Sequence, residues 1–152
     1  MTGVQTCALP IFQRGLATLA RAETVGHGLG AYGLQAAIAA CHARAASVAE
    51  TDWDRVVLLY EALGRIAPSA VVELNRAVAV SMASGPAAAL PLVDELAARG
   101  AFAGSHLLPG VRGELLRRMG RTEDARAELE LALGLCRNES ERVVLAAKLA
   151  AL

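Results

Sequence analysis

The chain has 152 residues and balances 15 basic against 15 acidic side chains, and without a basic stripe it lacks the electrostatic footprint that direct nucleic-acid binding requires. Alanine is abundant and aromatic residues make up only 3%, a mixture that favours closely packed helices over sheets. The length suits one domain with a real core, and no apolar run approaches the ~18 residues of a membrane span.

In chain order, Met1 to Ile11 read MTGVQTCALPI, a string that resembles a sequencing-library adapter translated in one frame. No Lys or Arg precedes its apolar stretch and no cleavage-like site follows, which argues against a signal peptide. Residues 1–11 are therefore expected to lie outside the fold, and residues 12–152 to form a helical domain cut from a larger protein. Phe12 to Ala22 reads as a first helix, closed by a glycine-rich connector from Gly26 to Gly33. A second helix is expected over Leu34 to Ala46. Thr51 suits an N-cap with Asp54 three places on, opening a helix that carries Trp53, Val56, Val57, Tyr60 and Leu63 on one face and ends before Pro68. Ser69 caps the next helix, which stops at Ser84 and Gly85. Pro86 then stands at a first helical position, where its missing N–H costs nothing, whereas Pro91 is expected to shorten or kink that helix. His106 to Met119 leads through Gly120 into Thr122 to Leu135, and Asn138 with Glu141 makes a capping-box-like start for the last helix.

The helices repeat. A shift of 35 carries Gly85 to Gly120, Leu90 to Ala125 and Ala97 to Ala132, and a shift of 34 carries Pro68 to Phe102. LQAAIA from Leu34 matches LNRAVA from Leu74 at a shift of 40. These spacings approach the ~34-residue tetratricopeptide period, in which small residues allow close helix crossing, and Gly113, Gly120, Ala125, Leu129 and Ala132 match that pattern best. The expected fold is all-α, a tetratricopeptide-like array of antiparallel helical hairpins with about seven to eight helices.

The succession AYGLQAAIAACHA from Ala31, TDWDRVVLLYEAL from Thr51, APSAVVELNRAVAV from Ala67, GPAAAL from Gly85, HLLPGVRGELLRRMGRTEDARAELELAL from His106 and RNESER from Arg137 resembles the carboxy-terminal extension of a group of extracytoplasmic-function RNA polymerase sigma factors. In that family the extension is a tetratricopeptide-like region following the two sigma domains that contact core polymerase and promoter DNA, and the sequence contains neither. The resemblance implies a regulatory, non-catalytic interaction domain from a cytoplasmic bacterial protein. Its partners would be the sigma domains of the same full-length protein, RNA polymerase or a regulatory protein. A stand-alone tetratricopeptide adaptor unrelated to transcription is the alternative. The glycine-rich early connector and Ser105, where the family commonly has an aromatic, depart from its pattern and bear on local loop geometry.

No catalytic, cofactor or metal constellation is expected. His27 lies in a glycine loop, His42 is helical and His106 opens a helix, with no Cys, Ser or carboxylate at a spacing that defines a triad or ligand set. GHGLG from Gly26 lacks the Lys and preceding strand of a phosphate loop. With Cys7 in the adapter-like segment, Cys41 and Cys136 read as buried thiols in a reducing compartment. Asn138 reads as a cap and Glu123 and Asp124 as first-turn acids that favour the helix dipole, while Trp53 and Tyr60 read as core. The polar residues of interest lie on the first helix of each pair, where Gln35, Ala39 and His42 share a face and Asn75, Ala79 and Met82 repeat that spacing. Gly110, Glu114 and Arg117 supply a third line. The expected interaction groove is edged by Gln35, His42, Asn75, Arg76, Glu114 and Arg117; the alternative is that these groups bind helix ends and carbonyls between repeats.

Overall fold

A computed structural model describes residues 30–152 together with Ala17. The expected helix over 12–22, the adapter-like segment, Cys7 and His27 fall outside the described residues, Ala17 apart. All the regular structure among the described residues is helical: α1 (Ala31–Arg44), α2 (Trp53–Ile66), α3 (Ala70–Ala83), α4 (Pro86–Ala98), α5 (Leu107–Arg118), α6 (Thr122–Leu135) and α7 (Glu139–Ala150), with a short 3₁₀ turn at Val48–Glu50. This is the expected all-α array of helical hairpins. None of these helices is long and apolar enough to cross a membrane. Contacts divide the chain after Ala67 into two compact units.

In the first unit α1 packs on α2. Leu34, Ala37, Ile38 and Cys41 are buried at helical spacing, and Ala37 and Ala40 pack against Leu59. Three details differ from expectation. Helix α1 begins at Ala31, so Gly33 lies inside it; extended Gly30 serves as its N-cap and its carbonyl accepts the Leu34 N–H at 3.0 Å. Asp52, not Thr51, caps α2, accepting the Arg55 N–H at 3.0 Å. The Thr51 hydroxyl is already committed, donating to the Ser47 carbonyl at 3.4 Å. Trp53 and Tyr60 are half-buried rather than core, the Trp53 indole N–H donating to the Val48 carbonyl at 2.9 Å.

The second unit is a chain of neighbours in which α3 packs on α4, α4 on α5, α5 on α6 and α6 on α7, while α3 also touches α5. Its main core joins Leu74 and Ala77 of α3, Ala89, Leu90, Val93 and Leu96 of α4, Leu108, Leu115 and Leu116 of α5 and Ala125 of α6. A smaller cluster of Leu129, Ala132, Cys136 and Leu145 seats α7. Each fully buried leucine contributes roughly 2–3 kcal/mol through the apolar area it removes from water. The alanines serve by being small: Ala77, Ala89, Ala125 and Ala132 have no exposed surface and let helix backbones approach.

The repeat is visible in the turns. Gly85 and Gly120, 35 apart in sequence, both take left-handed backbone conformations, φ 90° and 74°, which only glycine adopts without steric cost. Each reverses the chain between the two helices of a hairpin. Gly113 shows why the hairpin α5/α6 is tight, since a Cβ there would lie 2.8 Å from Leu129 Cγ and 3.3 Å from Glu128 Cβ. Caps lie largely where expected: Ser69 Oγ accepts the Val72 N–H at 3.2 Å, and Asn138 Oδ1 accepts those of Ser140 and Glu141 at 3.0 and 3.4 Å. Ser105, where the family commonly has an aromatic, accepts the Leu107 N–H at 3.3 Å, while the N-cap of α5 is His106, which makes no side-chain capping bond. Pro91 does not shorten α4, which runs on to Ala98. Pro91 and Ala87, whose carbonyl loses its partner, are both exposed, so water can satisfy that group.

Candidate functional site

Helices α3, α5 and α7 line one open groove of about 870 Å³. From α3 come Val78, Ser81 and Met82, from α5 and the residue before it the positions 106, 107, 110, 111, 114, 115, 117 and 118, and from α7 Ser140, Glu141, Val144, Leu145 and Lys148. The α5 positions fall at helical spacing on one face. Apolar side chains dominate this surface, and several are well exposed, among them Leu107 at 46% and Val144 at 55%.

Charge is arranged along the groove by an ion pair within α5 and another between α5 and α7. Glu114 of α5 receives Arg117 Nη2 at 2.9 Å and Nε at 3.2 Å, and Lys148 of α7 approaches it at 3.2 Å. Burial alone would raise the Glu114 carboxyl, but the Arg117 hydrogen bond and the Lys148 ammonium outweigh it and hold the group below its ordinary value. The same pairing holds the Arg117 guanidinium above its own. On the α3 side, Arg118 Nη2 donates to the Ser81 carbonyl at 3.0 Å and Nη1 to the Ser81 hydroxyl at 3.2 Å. Ser81 is buried and its hydroxyl donates to the Val78 carbonyl at 2.7 Å, so both its hydroxyl and its carbonyl have partners.

At the other end stands a polar cluster. His106 Nε2 lies 2.6 Å from Glu141 Oε2, and the buried Cys136 thiol lies 3.8 Å from the same carboxylate oxygen. All three donor atoms fall within 4.8 Å of one another. The sequence offered no carboxylate or cysteine near His106, yet folding brings in residues 30 and 35 positions away. The capping box at α7 is therefore half made: Asn138 caps as expected, while the Glu141 side chain is directed to His106 and Cys136.

Of the residues expected to edge a groove, Glu114 and Arg117 line this one. Asn75 and Arg76 stand on α3 but are not among its lining residues. In their line Ala79 is buried, so Asn75, Ala79 and Met82 do not make one exposed stripe. Gln35 and His42 belong to the first unit, where the His42 ring packs edge-on against Trp53 with centroids 5.2 Å apart. Sequence reasoning missed Ser81, Arg118, His106, Glu141 and Lys148. The signal for two of them was present, because α7 continues the alternation of α3 and α5 and its inward positions include Glu141 and Lys148.

No family model matches the chain, and no solved structure does. An uncharacterized protein of Rhizobium meliloti (strain 1021) is 50% identical over 112 residues, which make up 74% of this chain and 26% of that protein. The chain thus spans about a quarter of the length of the curated relative it matches.

Proposed function

We propose that this chain is the carboxy-terminal, non-catalytic interaction domain of an extracytoplasmic-function RNA polymerase sigma factor, built as a helical repeat of the tetratricopeptide kind. In this reading it works in the bacterial cytoplasm, where its groove receives the sigma domains of its own polypeptide, polymerase or a regulatory protein, and it does not itself read promoter DNA. The observation that carries the reading is the groove of about 870 Å³ built from alternate helices, with an apolar floor and charged residues among which Arg117, Arg118 and Lys148 outnumber Glu114 and Glu141. Such a surface suits an acidic, partly apolar segment of protein. The ordered match of sequence blocks to the sigma-factor extension supports it, as does a relative whose length leaves room for further domains.

The test uses the full-length protein encoded by the source gene. Val78→Glu with Val144→Glu puts charge on the groove floor at two exposed positions. The pair is expected to change promoter-dependent transcription by core polymerase at least tenfold while the isolated 152-residue chain keeps its helicity. Unchanged transcription overturns the regulatory groove. A source gene without sigma domains replaces this reading with that of a stand-alone adaptor.

A further inference from the structure

We propose that His106, Cys136 and Glu141 form a binding site for a divalent transition metal of the zinc class at the end of the groove. One imidazole nitrogen, one thiol sulfur and one carboxylate oxygen converge within 4.8 Å from three different places in the chain: the start of α5, the end of α6 and the first turn of α7. This mixed donor set suits borderline metals such as Zn²⁺, whereas Mg²⁺ and Ca²⁺ take oxygen ligands.

Two of the three donor separations can be compared directly with those a metal needs, and the third, His106 to Cys136, lies within 4.8 Å. Around tetrahedral zinc, metal–ligand bonds of roughly 2.0–2.3 Å place neighbouring donors ~3.3–3.7 Å apart. The Cys136 sulfur and Glu141 Oε2 are 3.8 Å apart, near that value already. The His106–Glu141 contact at 2.6 Å must open by about 0.7 Å to reach it. Glu141 is free to supply that movement, since half of its side chain is exposed and its capping role is left to Asn138.

The surroundings hold the site together without closing it. Cys136 is buried, its thiol 3.5 Å from the Asn138 carbonyl, and Arg142 ties down the backbone by donating to the carbonyls of Leu133 at 2.7 Å and Cys136 at 3.1 Å. His106 and Glu141 both line the groove. With three protein ligands and a fourth position left to water or to a carboxylate arriving from the groove, the site has the open form of ligand set. Metal would join α5, α6 and α7 at one point in a complex of zero net charge, since the thiolate and the carboxylate offset the two charges of the ion, and would turn an open coordination position toward the groove.

The experiment titrates the reduced 152-residue chain with Zn²⁺ against a chromogenic chelator and with Co²⁺ as a spectroscopic probe. One ion per chain is expected, with a thiolate-to-cobalt charge-transfer band. The band persists in a Cys7→Ser, Cys41→Ala variant, whose remaining thiol is Cys136. Cys136→Ser is expected to remove the band and weaken Zn²⁺ binding at least about a hundredfold, and His106→Asn and Glu141→Gln to weaken it tenfold or more. Circular dichroism of each variant confirms that helicity is retained; should Cys136→Ser unfold, the two variants at partly exposed side chains decide the question. Failure of the reduced chain to bind one Zn²⁺ saturably overturns the site, as does unchanged affinity in folded Cys136→Ser or in both His106→Asn and Glu141→Gln. This readout is independent of the sigma-factor reading.

Discussion

Helix α5 carries two polar faces that use the same residue types to different ends. On one face Arg112 lies between two neighbours, donating to Asp94 of α4 at 2.8 Å and to Glu128 of α6 at 2.5 Å. The Asp94 hydrogen bond leads the interactions that hold its guanidinium above its ordinary value. Here one cation answers two acids and ties three consecutive helices together. On the groove face the balance is reversed. Arg117 and Lys148 share Glu114, while Arg118 is held by neutral groups of Ser81 and Met82. Charge consumed between packed helices acts as structure, whereas cationic surplus on an open, largely apolar surface is available to a partner.

The packing under the first face should give the largest effect on stability. Gly113 meets Leu129, which has no exposed surface, and overpacking a closed contact costs roughly 1–3 kcal/mol. Gly113→Ala is accordingly expected to lower the urea midpoint by an amount equivalent to ~2 kcal/mol. Gly134 on α6 provides the control, because a Cβ there meets nothing within 4 Å. Gly134→Ala should stabilise by roughly 0.5–1 kcal/mol through helix propensity and a stiffer unfolded chain. Equal effects from the two substitutions would show that α5 and α6 are not in close contact at Gly113.

Next in size is the ion-pair hub itself. Arg112→Met keeps the aliphatic stem and removes the cation, leaving two carboxylates without their partner. The expected cost is about 1–2 kcal/mol, reduced from that of a buried pair because Arg112 and Asp94 remain partly open to water. A double-mutant cycle with Glu128→Gln should return a favourable coupling for this pair, and zero coupling would demote the contact to a surface feature.

How much of this was legible beforehand differs between fold and site for a physical reason. Helix starts and stops are local, so Ser69, Pro86, Gly120 and Asn138 announce themselves. Thr51 misled because its hydroxyl had a competing acceptor at Ser47, which a capping rule does not see, and Asp52 took the cap. Gly113 was readable as a close-approach position because it stands at a small-residue place of the repeat, and the structure adds that Leu129 is what it meets. The site was harder, since it depends on which helices alternate onto one face. Glu114 and Arg117 were found from spacing on α5, but the pairing of Glu114 with Lys148 and the approach of Cys136 and Glu141 to His106 join residues at least 30 positions apart. Asn75 and Arg76 looked equivalent to groove residues by register along α3, yet Ala79 in the same line is buried.

A smaller effect is expected from pH on the groove face. Because Glu114 is held below its ordinary value of 4.5, it contributes stability that is present above that value and is lost as pH falls through its folded-state pKa. Glu114→Gln should remove this contribution. Thermal midpoints of the two proteins are therefore expected to differ near neutrality and to converge in acid below pH 4.5. Parallel curves that never converge would assign the difference to packing around residue 114 instead of to its charge.

The smallest stability change should come from Arg117. Its side chain is 38% exposed, and its partner lies one turn away on the same helix, the geometry in which an ion pair is worth only a few tenths of a kcal/mol. After Arg117→Ala, Glu114 still has Lys148 at 3.2 Å, so no carboxylate is stranded. The urea midpoint is expected to move by less than the equivalent of ~0.5 kcal/mol, several times less than for Arg112→Met on the opposite face. A loss above about 1 kcal/mol would exceed what an exposed same-helix pair supplies. Arg117 would then be a structural residue, and the contrast between a stabilising face of α5 and the proposed recognition face would fail where it is most directly drawn.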